Sequence, residues 1–150
     1  ALEKFKARPE LQFFKAGAAE FKSGETFDYI IMPDVIEHLS DVRAAIKNIA
    51  SLAGEETIFI ISMANPLWEP ILWLAEKLKL KMEEGLHYRI SLGKLKKILQ
   101  AEGFQVKEVN YFLHLPIYIP FLSGGINKLF SKIPLLNKLG LLIFIVSRKS

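Results

Sequence analysis

The sequence contains no cysteine among its 150 residues. This absence excludes disulfide scaffolds and thiolate metal sites and fits a reducing compartment, so we expect a cytoplasmic protein. The longest uncharged apolar runs are too short, or too interrupted by proline, for a membrane span of ~20 residues. The three histidines are dispersed and have no carboxylates at ligand spacing, so we predict no metal site.

Acidic residues are missing from the last part of the chain. Residues 1–108 carry 15 Lys and Arg together with all 16 acids, a net charge of −1, whereas residues 109–150 carry five basic residues, a net charge of +5. This segment is also apolar and aromatic, and its basic residues are too sparse to follow a nucleic acid backbone. It suits an anionic lipid surface or an acidic ligand better, and we do not expect nucleic acid binding.

The apolar pattern predicts strands and helices that alternate within a single domain. The run at 27–32 is apolar at nearly every position after Asp28, which is typical of a parallel strand covered on both faces. The order of elements predicts an α/β fold with helices on both faces of the sheet. The predicted strands are 11–17, 27–32, 57–62, 104–112 and 141–146. Three helices are predicted: Ser40 and Ser91 are the expected N-caps of two of them, and Asn65 opens the third. Core packing is predicted for Trp68, Leu72, Trp73, Leu74 and Leu78.

Polar residues crowd the end of one predicted strand, in the segment FDYIIMPDVIEHLSD at 27–41. After the apolar run come Pro33, two acids (Asp34 and Glu37) and His38. A strand that only filled a core would need none of these side chains. Because ligands of such sheets bind beyond the carboxyl ends of the strands, this turn is predicted to lie at a binding site.

Two segments resemble class I S-adenosylmethionine-dependent methyltransferases. The 27–41 segment is similar to the family's fourth-strand region, in which a strand beginning Phe-Asp runs into a Glu-His-Leu-x-Asp turn. The segment HYRISLGKLKKILQAEGFQVKEV, residues 87–109, is similar to the family's late region: His and an aromatic, a helix, an Ala-x-Gly-Phe turn and a strand. The resemblance covers about residues 1–112, and the last predicted strand extends it to the end. It implies a Rossmann-like sheet of order 3-2-1-4-5-7-6, mostly parallel with an antiparallel last strand.

The sequence departs from this family in the cofactor cradle. Residues 1–150 contain neither the Gly-x-Gly loop of the family's first strand nor the acid that ends its second strand, so we expect the first two strands to be lacking. The third-strand turn reads Gly17-Ala18-Ala19 where many members have Gly-Asp-Ala, so the acid near the adenine is absent unless Glu20 takes its place. We therefore interpret residues 1–150 as a partial domain, the carboxyl-terminal two thirds of a methyltransferase, or as a relative whose cofactor site has decayed.

The resemblance implies roles for particular residues. The expected cofactor contacts are Ala18, Ala19, Glu20, Met32, Pro33, Asp34 and Val35, and the expected substrate contacts are His87, Tyr88 and Tyr118. His38 has suitable chemistry for a general base, and Glu37 would orient it or cap the following helix. The alternative is that both side chains only form hydrogen bonds within the turn.

Residues 113–138 are predicted to form an apolar lid or insert between the last two strands. Its aromatic and basic residues favour contact with lipid or a lipid-like acceptor, and the alternative is ordinary core and a homo-oligomer interface. The leading hypothesis is S-adenosylmethionine-dependent methyl transfer to a small or lipid-like acceptor. The alternatives are a noncatalytic truncated module that acts through this apolar basic tail as a membrane or partner surface, and a nucleotide-binding Rossmann enzyme of another chemistry.

Overall fold

A computed structural model of the protein describes residues 11–79, 90–113, 125 and 133–150. Within these ranges one sheet has the strand order β1-β2-β4-β3. The strands are β1 (Phe27–Pro33), β2 (Ala53–Ala64), β3 (Phe104–Phe112) and β4 (Leu142–Lys149). β1 is parallel to β2, and β4 is antiparallel to both of its neighbours. This arrangement confirms the predicted mixed sheet with an antiparallel last strand.

Helices connect the strands. The described helices are α1 (Val42–Ser51), α2 (Glu69–Lys77), α3 (Leu92–Ala101) and the short α4 (Pro134–Asn137), with single 3₁₀ turns at Ile36–His38 and Pro66–Trp68. α3 begins after the predicted cap Ser91, whose hydroxyl accepts a hydrogen bond from the amide of Lys94 at 3.3 Å. The prediction of Ser40 as the cap of α1 is wrong, because the side chain of Asp41 accepts from the amide of Ala44 at 2.9 Å.

The hydrophobic core lies between the sheet and the pair α1 and α3. Its rings include Phe59 and Phe104, whose centroids are 5.4 Å apart. The other fully buried apolar residues of this layer include Ile46, Ile61, Leu95, Leu99, Ile143 and Ile145. Helices were predicted on both faces. The face of the sheet opposite α1 and α3 is half-buried over β2 and β4. It is exposed at β1, where Tyr29 and Ile31 are 65% and 64% exposed.

β1 forms one edge of the sheet as far as the structure describes it. The prediction of a strand at 11–17 is wrong: these residues are irregular, and Phe13 and Phe14 are exposed. A short apolar run is only a local signal, and without a neighbouring strand it gains no ladder of hydrogen bonds. An apolar groove of about 290 Å³ lies beside β1, between its side chains and Ala18. This open edge agrees with the expectation that residues 1–150 lack the strands that would pair there.

Candidate functional site

The turn after β1 is fixed by the neighbouring strand. Asp34 has a φ of +49°, in the left-handed region that Asp tolerates better than most residues. Its amide donates to the Ser62 carbonyl at 3.1 Å and to the Ser62 hydroxyl at 3.0 Å, and that hydroxyl donates to Asp34 Oδ1 at 2.8 Å. Ser62 is buried at the end of β2. Ser62 was not predicted as a site residue, although a polar residue at the end of an apolar strand next to the predicted site was a usable signal.

Glu37 connects the same turn to β2. It lies in the 3₁₀ turn Ile36–His38, and its Oε1 accepts a hydrogen bond from the amide of Ala64 at 3.3 Å. Its other carboxylate oxygen, Oε2, is buried and has no hydrogen bond partner within the described ranges. Glu37 does not cap α1, because Asp41 has that role. Its described contact therefore ties the turn of β1 to the end of β2.

His38 lies at the end of the same 3₁₀ turn and is exposed. Its amide donates to the carbonyl of Val35 at 3.0 Å, so the backbone of this short turn is closed. Pro33 and Val35 are also exposed, whereas the side chain of Met32 is buried in the core. The structure thus brings Pro33, Asp34, Val35 and His38 together at one accessible turn, and Met32 can face a ligand there only through its backbone.

The turn that contains Ala18, Ala19 and Glu20 is held against α1. The buried side chain of Asn48 donates from Nδ2 to the carbonyl of Ala18 at 3.0 Å and to that of Phe21 at 2.8 Å. Ala18 lines the groove beside β1, while Ala19 and Glu20 are exposed. These residues lie along the open edge of β1, whereas Pro33 to His38 lie at its carboxyl end. Asn48 was also missed, and its signal was an amide within an apolar helical stripe.

The end of β2 anchors the segment that leads into β4. Asn65 is buried and donates from Nδ2 to the carbonyls of Lys138 at 2.9 Å and Gly140 at 2.7 Å. The amide of Leu141 donates to the carbonyl of Leu113 at 3.2 Å. The residue that follows β3 is therefore hydrogen-bonded to the residue that precedes β4. β3 ends and β4 begins at the edge where β1 and β2 end. The two flanks of the predicted lid therefore meet at the predicted binding edge.

Other predicted site residues have different outcomes. His87, Tyr88 and Tyr118 lie outside the described residues. No group of three potential metal ligands occurs in the described part of the chain. In the same part, no helix has the length and apolar character needed to cross a bilayer. The prediction that Trp73, Leu74 and Leu78 are core residues is wrong, because all three are at least half exposed on α2 and the turn after it.

Comparison with known proteins identifies the family. The sequence profile of a family described as a methyltransferase domain matches residues 3–109, more than two thirds of the chain. The chain belongs to this methyltransferase domain family. The matched range includes the turn after β1 and extends through α3 into β3, so it contains both segments that carried the resemblance.

Solved structures of methyltransferases share the fold of this methyltransferase domain. The magnesium protoporphyrin IX methyltransferase of Synechocystis, solved with bound S-adenosylhomocysteine, is 20% identical with a TM-score of 0.54, over 92% of this chain and 50% of that one. An S-adenosylmethionine-dependent methyltransferase of Thermotoga maritima is 18% identical with a TM-score of 0.64, over 91% of this chain and 63% of that one. One from Archaeoglobus fulgidus is 19% identical with a TM-score of 0.64, over 98% and 71%.

At these identities the likeness shows the fold alone. The chain spans about half to two thirds of the length of the first two solved methyltransferases. A comparison with curated proteins gave no significant match.

Proposed function

We propose that the whole protein transfers a methyl group from S-adenosylmethionine to a small or lipid-like acceptor. The observation that carries this proposal is the family match, which includes a turn of exposed polar residues at the carboxyl edge of the sheet. Ligands of α/β sheets bind at this edge. The turn consists of Pro33, Asp34, Val35 and the 3₁₀ turn Ile36–His38.

The described residues fit one wall of a cofactor site. Pro33, Asp34 and Val35 are exposed, and the turn containing Ala18, Ala19 and Glu20 lies along the open edge of β1. No two glycines separated by a single residue occur in residues 1–150, so the close backbone approach of a Gly-x-Gly loop is missing. The proposal therefore assigns the remaining cofactor contacts to polypeptide outside these residues.

His38 is proposed as the residue that takes a proton from the acceptor. S-adenosylmethionine, when bound, would supply a sulfonium methyl group for displacement by the acceptor atom and would leave as S-adenosylhomocysteine. In such a displacement the protein mainly positions the acceptor and, for an oxygen or carbon acceptor, removes its proton. His38 is exposed at the turn, and imidazole is the side chain that most often acts as a general base. Glu37 is proposed as a positioning residue, because its carboxylate accepts from the amide of Ala64 and fixes the turn.

The class of acceptor is proposed from the position and composition of the predicted lid, residues 113–138. Its two flanks, Leu113 and the residues before Leu141, meet at the end of β2 beside the predicted site. Residues 113–138 are rich in apolar and aromatic side chains and contain no acid. Such a cover suits a small apolar or lipid-like acceptor and a peripheral membrane contact. His87, Tyr88 and Tyr118 are proposed as further acceptor contacts.

A noncatalytic α/β module is the second candidate function. Two observations favour it. The carboxylates of Asp34 and Glu37 are both engaged in hydrogen bonds with residues of β2. Residues 1–150 also contain no Gly-x-Gly loop. Such a module would act through its apolar basic tail as a membrane or partner surface, and its open β1 edge offers a route to a homo-oligomer.

Titration of S-adenosylhomocysteine into the protein expressed from its complete coding sequence separates the two candidates. Binding of this product, together with conversion of S-adenosylmethionine to S-adenosylhomocysteine that depends on added lipid extract or on a phenol, amine or carboxylate, supports methyl transfer. Failure of the complete protein to bind this product would favour the noncatalytic module.

A further inference from the structure

α2 presents an apolar stripe to solvent. Leu67, Ile71, Leu74 and Leu78 are spaced four, three and four residues apart, which places them on one side of a helix and of the turns that flank it. Their exposed fractions are 63%, 56%, 50% and 60%. No side chain of α2 belongs to the buried core cluster of the described residues. A helix that only covered the sheet would turn such a stripe inward, so this one faces another partner.

The stripe is fixed beside the segment that leads into β4. The indole of Trp68 donates to the carbonyl of Leu139 at 2.6 Å, and Asn65 holds the carbonyls of Lys138 and Gly140. Leu139 is itself 42% exposed. These bonds join the start of α2 to residues 138–140, at the end of the predicted lid, so two apolar elements share the carboxyl edge of the sheet.

The charges around the stripe are basic where they are exposed. Lys77 and Lys79 are exposed, whereas Glu69 and Glu76 are half-buried. The ammonium of Lys77 lies 4.6 Å from the ring centre of Trp73, which is 57% exposed. A tryptophan and lysines at the border of an apolar stripe are typical of helices that lie in a membrane interface.

We propose that α2 and residues 133–141 form one surface that lies on a bilayer containing anionic lipids. Charge decides between this occupant and a second copy of the chain. The exposed charged residues of this surface and its border, Lys77, Lys79 and Lys138, are all basic, so two copies packed through it would bring like charges together, whereas anionic headgroups neutralise them. The proposal extends membrane contact from the lid to a helix outside it and does not depend on methyl transfer.

Co-sedimentation of the protein with vesicles tests this surface. The vesicles contain phosphatidylcholine with one quarter phosphatidylglycerol, and pure phosphatidylcholine vesicles serve as the uncharged comparison. We expect the parent to bind the anionic vesicles and the double variant Ile71→Ser, Leu74→Ser to require at least about tenfold more lipid for half-binding. The matched control is Tyr29→Ser, Ile31→Ser, which removes two apolar side chains that are somewhat more exposed, at 65% and 64%, from the edge of β1 and should bind as the parent does.

A second measurement does not require any variant to fold. The tryptophan emission of the parent should shift to shorter wavelength when anionic vesicles are added, because Trp73 enters the interface. Absence of parent binding, equal binding by the α2 variant, or an equal loss in the control would overturn the proposal. A parent dimer that the α2 substitutions convert to monomer in light scattering would assign the stripe to a second copy instead. The assay contains neither cofactor nor acceptor, so its failure leaves the proposed methyl transfer untouched.

Discussion

Ser62 and Asp34 exchange hydrogen bonds across two neighbouring strands. The Ser62 hydroxyl donates to Asp34 Oδ1 at 2.8 Å and accepts from the Asp34 amide at 3.0 Å. Asp34 has a positive φ, so its backbone conformation is uncommon for a residue with a side chain. The buried hydroxyl on β2 therefore helps to hold the turn of β1 in the shape that presents Pro33, Val35 and His38.

Replacement of Ser62 by alanine should weaken this turn. We expect Ser62→Ala to lower the free energy of unfolding by about 1 kcal/mol, because the Asp34 amide and carboxylate each lose a partner. In native-state hydrogen exchange, the Asp34 amide should exchange several-fold faster. Ser147→Ala is the control, because the Ser147 hydroxyl is also buried and donates to the carbonyl of Phe59 at 3.1 Å. Ser147→Ala should lower the free energy of unfolding by a similar amount and leave the exchange rate of the Asp34 amide unchanged. Equal exchange rates of this amide in the parent and both variants would show that the Ser62 hydroxyl does not hold the turn.

Much of the sheet could be predicted from the sequence, because its strands carry strong local patterns. The run 27–32 became β1, and 104–112 became β3 without a change of bounds. The segment 11–17 looked similar but formed no strand, since strand formation depends on a partner that a single segment does not specify. Local composition identifies an apolar run, and whether it becomes a strand depends on a neighbouring strand with which it can pair.

The site could be predicted only in part for a related reason. The turn at Pro33 to His38 could be predicted as a candidate site, because polar residues at the end of an apolar strand are conspicuous. Ser62 and Asn65 are as important to its geometry, but they become neighbours of the site only when β2 pairs with β1 and β4. Similarly, the apolar residues of α2 were predicted to pack in the core, but their apolar character does not indicate what they meet.

His38 and Glu37 should respond differently to substitution in the complete protein. We expect His38→Ala to lower turnover at least tenfold for an oxygen or carbon acceptor and to change cofactor affinity and stability little, because the side chain is exposed. Glu37→Ala should lower the free energy of unfolding by about 1 kcal/mol through loss of the Ala64 bond. Glu37→Gln keeps an acceptor oxygen and should restore part of that loss. Equal turnover by His38→Ala and the parent would remove His38 from the chemistry.

Residues 1–150 alone should bind S-adenosylmethionine weakly or not at all. The wall formed by Pro33 to Val35 is present, but the cradle for the methionine and ribose is not, because no Gly-x-Gly loop occurs in these residues. Isothermal titration of the 150-residue polypeptide is the measurement. A micromolar dissociation constant would show that residues 1–150 form a complete site without that loop.

Charge reversal in the lid should weaken binding to anionic vesicles. Lys128, Lys132 and Lys138 supply three of the five positive charges of residues 109–150, and each lysine near an anionic surface contributes about 1 kcal/mol. We expect the triple replacement by glutamate to reduce co-sedimentation with anionic vesicles and to remove its dependence on salt. Reversal of Lys94, Lys96 and Lys97 on α3 is the control for net charge. Unchanged co-sedimentation of the lid variant would leave packing as the role of this segment.

Gly140 should be irreplaceable where the chain returns to the sheet. A Cβ at this position would lie 2.8 Å from both the amide nitrogen and the carbonyl oxygen of Phe112, and 2.9 Å from the Cβ of Tyr111. Backbone atoms of a paired strand cannot move aside easily, so Gly140→Ala must displace the segment that Asn65 holds through the Gly140 carbonyl. We expect a loss of roughly 2 kcal/mol or more in the free energy of unfolding, measured with urea.

Gly93 provides the matched control for this substitution. It lies in the first turn of α3, and nothing lies within 4 Å of a Cβ added there. Gly93→Ala should therefore stabilise the protein by about 0.5 to 1 kcal/mol through helix propensity alone. Opposite signs for the two glycine substitutions would show that close approach, and not the loss of glycine as such, governs Gly140. If Gly140→Ala unfolds at the urea concentration of the parent, the return segment does not pack on the end of β3 as described, and the meeting of the lid's two flanks beside the site loses its support.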